Sequence, residues 1–518
     1  MSGVLQPVSL RACAAAVVCL GLFMLGMDLT VLNVAVPAVQ REVGASTAQV
    51  QWIVDGYALV LGGSVLAVGA FTDAWGRRRS FVSGVSVCAV ASVFGALASA
   101  PWQIIAARCA MGAGAALLMP ATLAVIHDLF PEPHLRRRAI AVWAAVGGLG
   151  GLSGPVIGGW LVEQFSWRAG FWVNLPLAVV TVVLAAAVVP ESRCPRRDGR
   201  FDVLGAVLSA SSLLTLVWAI IESPHRGWLS TATLTGYGVA VVLMAAFVVH
   251  QWRARAPMLP LYLLGVPRIG LCAASLALMS FAMFGALYVL TLYLQGVLGY
   301  SPWEAGVRTL PLPVGLAAGA GIAVPVVTRW SEKVPIVVGL LIVAAGFTVL
   351  AGSDPASGYT RSAVFQLITG VGSGMVAAAA TEAVMGAVPS QRAGLGSAVN
   401  DATRQIGSAL GVAVQGSVLA AGFTSHVTAS LQQAGTHVPA LIAEGGLATL
   451  PAYAARLDEP GRSVVMGAAR SAFIDAMTMT AIVAGVIVLV AAAVAAWGLP
   501  GHRERERSGA LPPVHRWT

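Results

Sequence analysis

Lysine is almost missing from this chain. Of its 31 basic residues 30 are arginine, and Lys333 is the single lysine. It sits in Ser-Glu-Lys-Val-Pro, and no G-x-x-x-x-G-K-[ST] occurs, so the chain has no P-loop of its own to cradle ATP phosphates. Charge of either sign is scarce as well, at 10% of 518 residues against 57% hydrophobic. A soluble domain carries about 25% charged residues. The composition therefore excludes a soluble fold and makes a lipid bilayer the solvent. Nucleic-acid binding would need arginines gathered on one soluble face, and here they are spread over short loops. The six cysteines (Cys13, Cys19, Cys88, Cys109, Cys194 and Cys272) form no C-x-x-C pair. They read as small hydrophobes, without a zinc site or a disulfide framework. The eight histidines form no H-x-x-x-D or H-x-x-x-H, which points away from a membrane-bound acyl or glycosyl transferase.

What is plentiful is the apolar run. Spans of about 20 residues fall near 12–34, 51–70, 80–99, 103–126, 139–162, 170–189, 202–221, 233–250, 268–292, 304–327, 334–350, 361–386, 402–421 and 476–498. The first is too long for a signal peptide and lacks a cleavage-like end, so it is expected to be retained. Fourteen spans put both termini on one side. Loops and adjoining span ends on that side hold 22 Lys+Arg and those on the other hold eight, with Arg108 deeper inside a span. By the positive-inside rule the termini are cytoplasmic and the chain sits in the cell membrane. The expected layout is all-α: a six-span bundle over 1–200, two additional spans within 201–267, and a second six-span bundle over 268–501. Residues 422–475 are expected to form an outer loop, solvated or lying on the surface as a helical hairpin. Residues 502–518 are too charged to pack and are expected to be a disordered cytoplasmic tail.

One stretch organises the rest. Gly147–Leu161 holds seven glycines and a proline inside an apolar run. Gly150, Gly154 and Gly158 fall four apart, as do Gly147, Gly151, Pro155 and Gly159, giving two neighbouring helical ridges with almost no side chain. Another helix can approach such a surface backbone to backbone. Pro155 removes one helical hydrogen bond, a defect that neighbours inside a membrane can repair.

Four ionisable groups within or at the ends of spans stand out besides Arg108: Asp28, Asp55, Glu222 and Glu382. An ionisable side chain at membrane depth faces a cavity or a partner, so each is a functional candidate. Counted from the span ends, Asp28 lies about six residues inside the first span and Arg108 about five inside the fourth. At about 1.5 Å per residue they share a level, with Asp55 near it, and an outer-half cluster is expected. Depth leaves the lateral distance open. Glu304 and Arg308, four apart at a span start, are placed to pair.

The order Gly150-x-x-x-Gly154-Pro155-x-x-Gly158-Gly159 resembles the fifth-span antiporter motif of drug exporters of the major facilitator superfamily. Gly69, Asp73, Gly76, Arg77, Arg78 and Arg79 are similar to that superfamily's G-x-x-x-D-x-x-G-R-[RK]-[RK] loop, with Ala74 where a basic residue is usual. Arg108, Gly112 and Gly114 match its R-x-x-x-G-x-G pattern. Asp28-x-Thr-x-x-Asn-x-Ala-x-Pro37 looks like the first-span signature of the fourteen-span drug–proton antiporters. The resemblance implies two six-helix bundles around a midplane cavity, with two extra central spans. It implies export of amphipathic, cationic or antibiotic-like small molecules driven by protons, with no cofactor and no ATP. Asp28, Arg108, Asp55, Glu222 and Glu382 would couple proton and substrate, and Gly69–Arg79 would gate the cytoplasmic side. A symporter importing a nutrient on the same fold remains the alternative.

Overall fold

The computed structural model describes residues 8–193, 202–254, 257–259, 261, 265–354, 357–386, 393–433 and 457–500. Among them are fourteen helices long and apolar enough to cross a membrane. The first five spans are Val8–Val43, Thr47–Trp75, Arg77–Ala96, Pro101–Leu129 and Pro133–Gln164. The sixth joins Ala169–Trp172 to Asn174–Val188, and the seventh and eighth are Val203–Arg226 and Thr231–Arg253. The ninth is Pro267–Leu292 with a π-helical turn at Tyr293–Val297, and the tenth joins Pro302–Val307 to Pro311–Arg329. Lys333–Ala351, Tyr359–Gly386, Ala393–Gln433 and Glu459–Gly498 complete the set. The face from which the first span starts is called the near face below, and the opposite one the far face.

Several helices outrun their apolar segments. The first continues to Val43 because Pro37 is accommodated inside it. The connection expected at 422–475 is helical at both ends. Phe423, Val427 and Leu431 are buried with Val465, Ala469 and Phe473 in the C-terminal core, so these turns extend the bundle and do not lie on a surface. Residues 434–456, the tail 502–518 and most of the Arg193–Arg200 cluster lie outside the described residues.

Two cores follow the two sets of six. Spans one to six share an interior of Val18, Leu25, Phe81, Val85, Leu118 and Phe171, and spans nine to fourteen share another around Leu276, Leu340, Phe347 and Val376. The extra pair is not peripheral to both. Leu213 and Val217 of the seventh span are buried with Leu59 of the second and Ala409 and Ala413 of the thirteenth. Gly63 faces Ala210 at backbone distance. Pro224 leaves the Ile220 carbonyl without its helical donor, and the Ser417 hydroxyl of the thirteenth span donates to it at 3.0 Å. At the near face Asp202 caps the seventh span and accepts from His250 and Gln251 of the eighth, both at 2.7 Å. Burial pushes the Asp202 carboxyl up, but these bonds outweigh it and hold the group below its ordinary range.

Candidate functional site

The sequence places Asp28 where it cannot be hydrated. It lies fifteen residues from the Val43 end of its helix, much deeper than the six expected from the apolar boundary, and is 4% exposed. Arg108, eighth residue of the fourth span, is 1% exposed. The lateral distance is settled by contact: the Arg108 guanidinium donates to Asp28 Oδ2 at 3.0 Å. It also donates to the backbone carbonyls of Ile53 at 3.1 Å and Asp28 at 3.3 Å. Its Cζ stacks 4.5 Å from the centroid of the buried Tyr57 ring. A buried guanidinium needs this many partners, since each unpaired N–H would cost free energy in low dielectric.

The other carboxylate oxygen has its own donor. Asn174 Nδ2 at the start of the sixth span reaches Asp28 Oδ1 at 2.9 Å and Ser92 Oγ at 3.2 Å. Ser92 donates on to the Phe171 carbonyl at 2.8 Å. Five spans therefore converge on one ion pair. Asn174 and Tyr57 belong to this cluster, and sequence reading did not assign them to it. Neither is a charged group at membrane depth, so the cost of burying charge does not single them out, and only the fold shows what they touch.

Asp55 departs from expectation. Two residues on a helix turn by about 200°, so while Tyr57 faces Arg108, Asp55 points toward the C-terminal bundle. It is 1% exposed, its Oδ2 has no hydrogen-bond donor among the described residues, and Tyr288 of the ninth span lies within electrostatic range. Gln51, one turn earlier, has a buried Nε2 likewise without an acceptor among the described residues. Glu222 does not join the cluster: it pairs with Arg226 one turn on, at 2.9 Å. Glu382 is exposed near the end of the twelfth span. Glu304 pairs with Arg308 at 3.6 Å as the spacing predicts, and also completes a capping box with Ser301.

The glycine ridges frame this site. A β-carbon at Gly150 would lie 2.5 Å from the Phe23 carbonyl oxygen, and one at Gly158 would lie 2.5 Å from that of Val31. Gly154 meets Met27 and Thr30. The ridge thus packs on the turns of the first span that flank Asp28. The carbonyl freed by Pro155 is that of Gly151, and the Thr30 hydroxyl donates to it at 2.9 Å. The second ridge divides its contacts: Gly147 meets Leu22, whereas Pro155 and Gly159 meet Gly306 and Pro302 of the tenth span.

At the near face the charged loop is tied within its own bundle. Gly69 has ordinary contact with Pro120, and the side chain of Asp73 lies outside the described residues. Gly76 turns the chain with φ +132°, and a β-carbon there would sit 2.7 Å from Glu191 Oε1. Glu191 accepts from the Arg78 amide at 3.2 Å and lies 3.9 Å and 3.7 Å from the Arg78 and Arg79 guanidiniums. Arg77 pairs with Asp128 of the fourth span. Arg11 pairs with Glu132 at 3.0 Å. A backbone N–H and the Arg11 guanidinium hold the Glu132 carboxyl below its usual range.

Residues 18–412 match the sequence profile of the Major Facilitator Superfamily. The chain is 32% identical over 485 residues to the tetracenomycin C resistance and export protein of Streptomyces glaucescens, covering 92% of this chain and 90% of that one. It is 33% identical over 488 residues to the multidrug efflux pump LfrA of Mycolicibacterium smegmatis, covering 93% and 95%. Among solved structures it resembles the inward-facing, unoccupied form of a bacterial homologue of the human lysosomal transporter Spinster. The TM-score is 0.63 at 17% identity, over 94% of this chain and 98% of that one, a likeness of fold.

Proposed function

This chain belongs to the Major Facilitator Superfamily, and from that premise we propose that it is a secondary active exporter of antibiotic-like or cationic amphipathic compounds, driven by protons moving inward. The observation that carries the reading is the Asp28–Arg108 pair. A buried ion pair is a poor device for stability alone, since apolar residues of similar volume often serve as well. It is a good device for exchange. The Asp28 carboxylate can be neutralised by the guanidinium, by a proton or by a cationic substrate, and leaving it charged and alone is costly. Alternating access of the two bundles would carry each occupant across. Asn174 and Tyr57 hold the two partners in register while the third competes.

Export proteins among the relatives support the direction of transport and the substrate class. Everted membrane vesicles test the coupling. Adding a transported dye or antibiotic to energised vesicles is expected to release part of the imposed pH gradient, and Asp28→Asn vesicles are expected to show no such release. Substrate movement that ignores a collapsed proton gradient would remove the antiport step.

The same reading places the near face in the cytoplasm and the protein in the cell membrane, on the arginine distribution. Leu229, 84% exposed at the far-face turn between the seventh and eighth spans, offers a sidedness probe. A Leu229→Cys protein is expected to react with an impermeant maleimide in intact cells. A Trp330→Cys protein, 58% exposed at the near face, is expected to react only after permeabilisation. The reverse pattern would invert the topology.

A further inference from the structure

Among the described residues, two hydrogen bonds join the first six spans to the last six at the far face, each pairing a side chain of one bundle with the backbone of the other. Glu163, at the end of the fifth span, accepts from the Trp303 amide of the tenth at 3.0 Å. Gln295, in the π-helical turn that ends the ninth span, donates to the Val34 carbonyl of the first at 2.9 Å. The Trp303 amide is available for a geometric reason. In the first turn of Pro302–Val307, Pro302 has no N–H, the Glu304 amide goes to Ser301 Oγ and the Ala305 amide to the Ser301 carbonyl. Trp303 is left with an orphan donor at a helix start, and Glu163 satisfies it from across the seam. Beside this bond the backbones of Gly159 and Pro302, and of Pro155 and Gly306, are in direct contact. The π turn serves the second bond, because inserting a residue into a helix re-aims the side chains around it, a device that recurs at functional sites.

We propose that Glu163 and Gln295 are positioning residues of a far-face gate, each bond existing only while that face is closed. Glu163 is exposed and Gln295 only partly buried, so neither leaves a stranded buried group when the bundles part. The Trp303 amide and the Val34 carbonyl then exchange their partners for water. Such a bond opens without stranding a buried polar group, and it sets how often the face opens. The proposal rests on the alternating-access reading, but its test measures the distance between bundles and not export, so either can fail without the other.

Spin labels at Phe165→Cys, in the exposed turn after the fifth span, and Thr360→Cys, exposed at the start of the twelfth, would report the gap. The six native cysteines would be replaced first. By double electron–electron resonance, Glu163→Ala and Gln295→Ala are each expected to raise the ratio of long to short distances about fivefold, the effect of a single hydrogen bond worth about 1 kcal/mol. The double variant is expected to exceed either. Glu163→Gln, which keeps a carbonyl acceptor, is expected to stay near the parent. Distance distributions in the double variant that match the parent would overturn the gate.

Discussion

Replacing Arg108 by alanine is expected to destabilise the protein by about 3–5 kcal/mol, and adding Asp28→Asn is expected to recover most of that loss. The magnitude is that of stranding one member of a buried ion pair. Arg108 and Asp28 have side chains 1% and 5% exposed, so solvent cannot take over the missing charge. Asparagine at position 28 removes the stranded charge and can still accept from Asn174. Heating detergent-solubilised protein and following the surviving monodisperse fraction measures the cycle. Transport separates the roles: the double variant should be stable and still fail to move protons, because no titratable group remains at the pair. Proton-coupled export by that variant would place the coupling elsewhere, with Asp55 the next carboxylate to test. Stabilities that do not change in either variant would mean the pair is hydrated.

The second large effect is steric. Gly158→Leu and Gly154→Leu are each expected to abolish export, because the added atoms must displace the backbone of the first span at Val31 or at Met27 and Val31. Overpacking typically costs about 1–3 kcal/mol, the same order as the few kcal/mol that separate two conformations of one protein. The control lies on the same span. A β-carbon at Gly148 meets nothing within 4 Å, so Gly148→Leu is expected to export normally. Drug susceptibility of cells at matched expression would read all three. Full resistance from a well-expressed Gly158→Leu protein would show that this ridge is filler and that the position of Asp28 does not depend on it.

Fourteen spans were legible because a bilayer demands long apolar helices, and that demand leaves little freedom in sequence. Their ends were less so. Apolar runs mark where lipid stops, whereas helices stop where caps and packing say so, and the first span goes on nine residues past its predicted end to Val43. The Asp28 and Arg108 candidates rested on the expense of burying charge, which sequence reveals. That they touch, and that Asp55 turns away from them, depends on helix rotation and lateral packing, on which depth is silent. Asn174, an uncharged residue at a span start, had no visible reason to be there. Its reason is a carboxylate 146 positions earlier in the chain. Glu222 and Glu382 show the converse: an acidic residue near a span end is often hydrated or locally paired, as at Arg226.

Pro155 and Thr30 have a consequence for how substitutions can be read. The proline withholds an amide from the Gly151 carbonyl, and the threonine supplies a hydroxyl in its place. Alanine at 155 would let the fifth span close its own bond and make the hydroxyl redundant, whereas valine at 30 is harmful only while the proline is present. Pro224, Ile220 and Ser417 repeat the arrangement in the seventh span, with the donor there coming from the thirteenth. The two members of such a couple do not act independently. The phenotype of one is set by the identity of the other, and a scan that changes residues singly will score the hydroxyl as essential and miss that its importance is inherited from the ring.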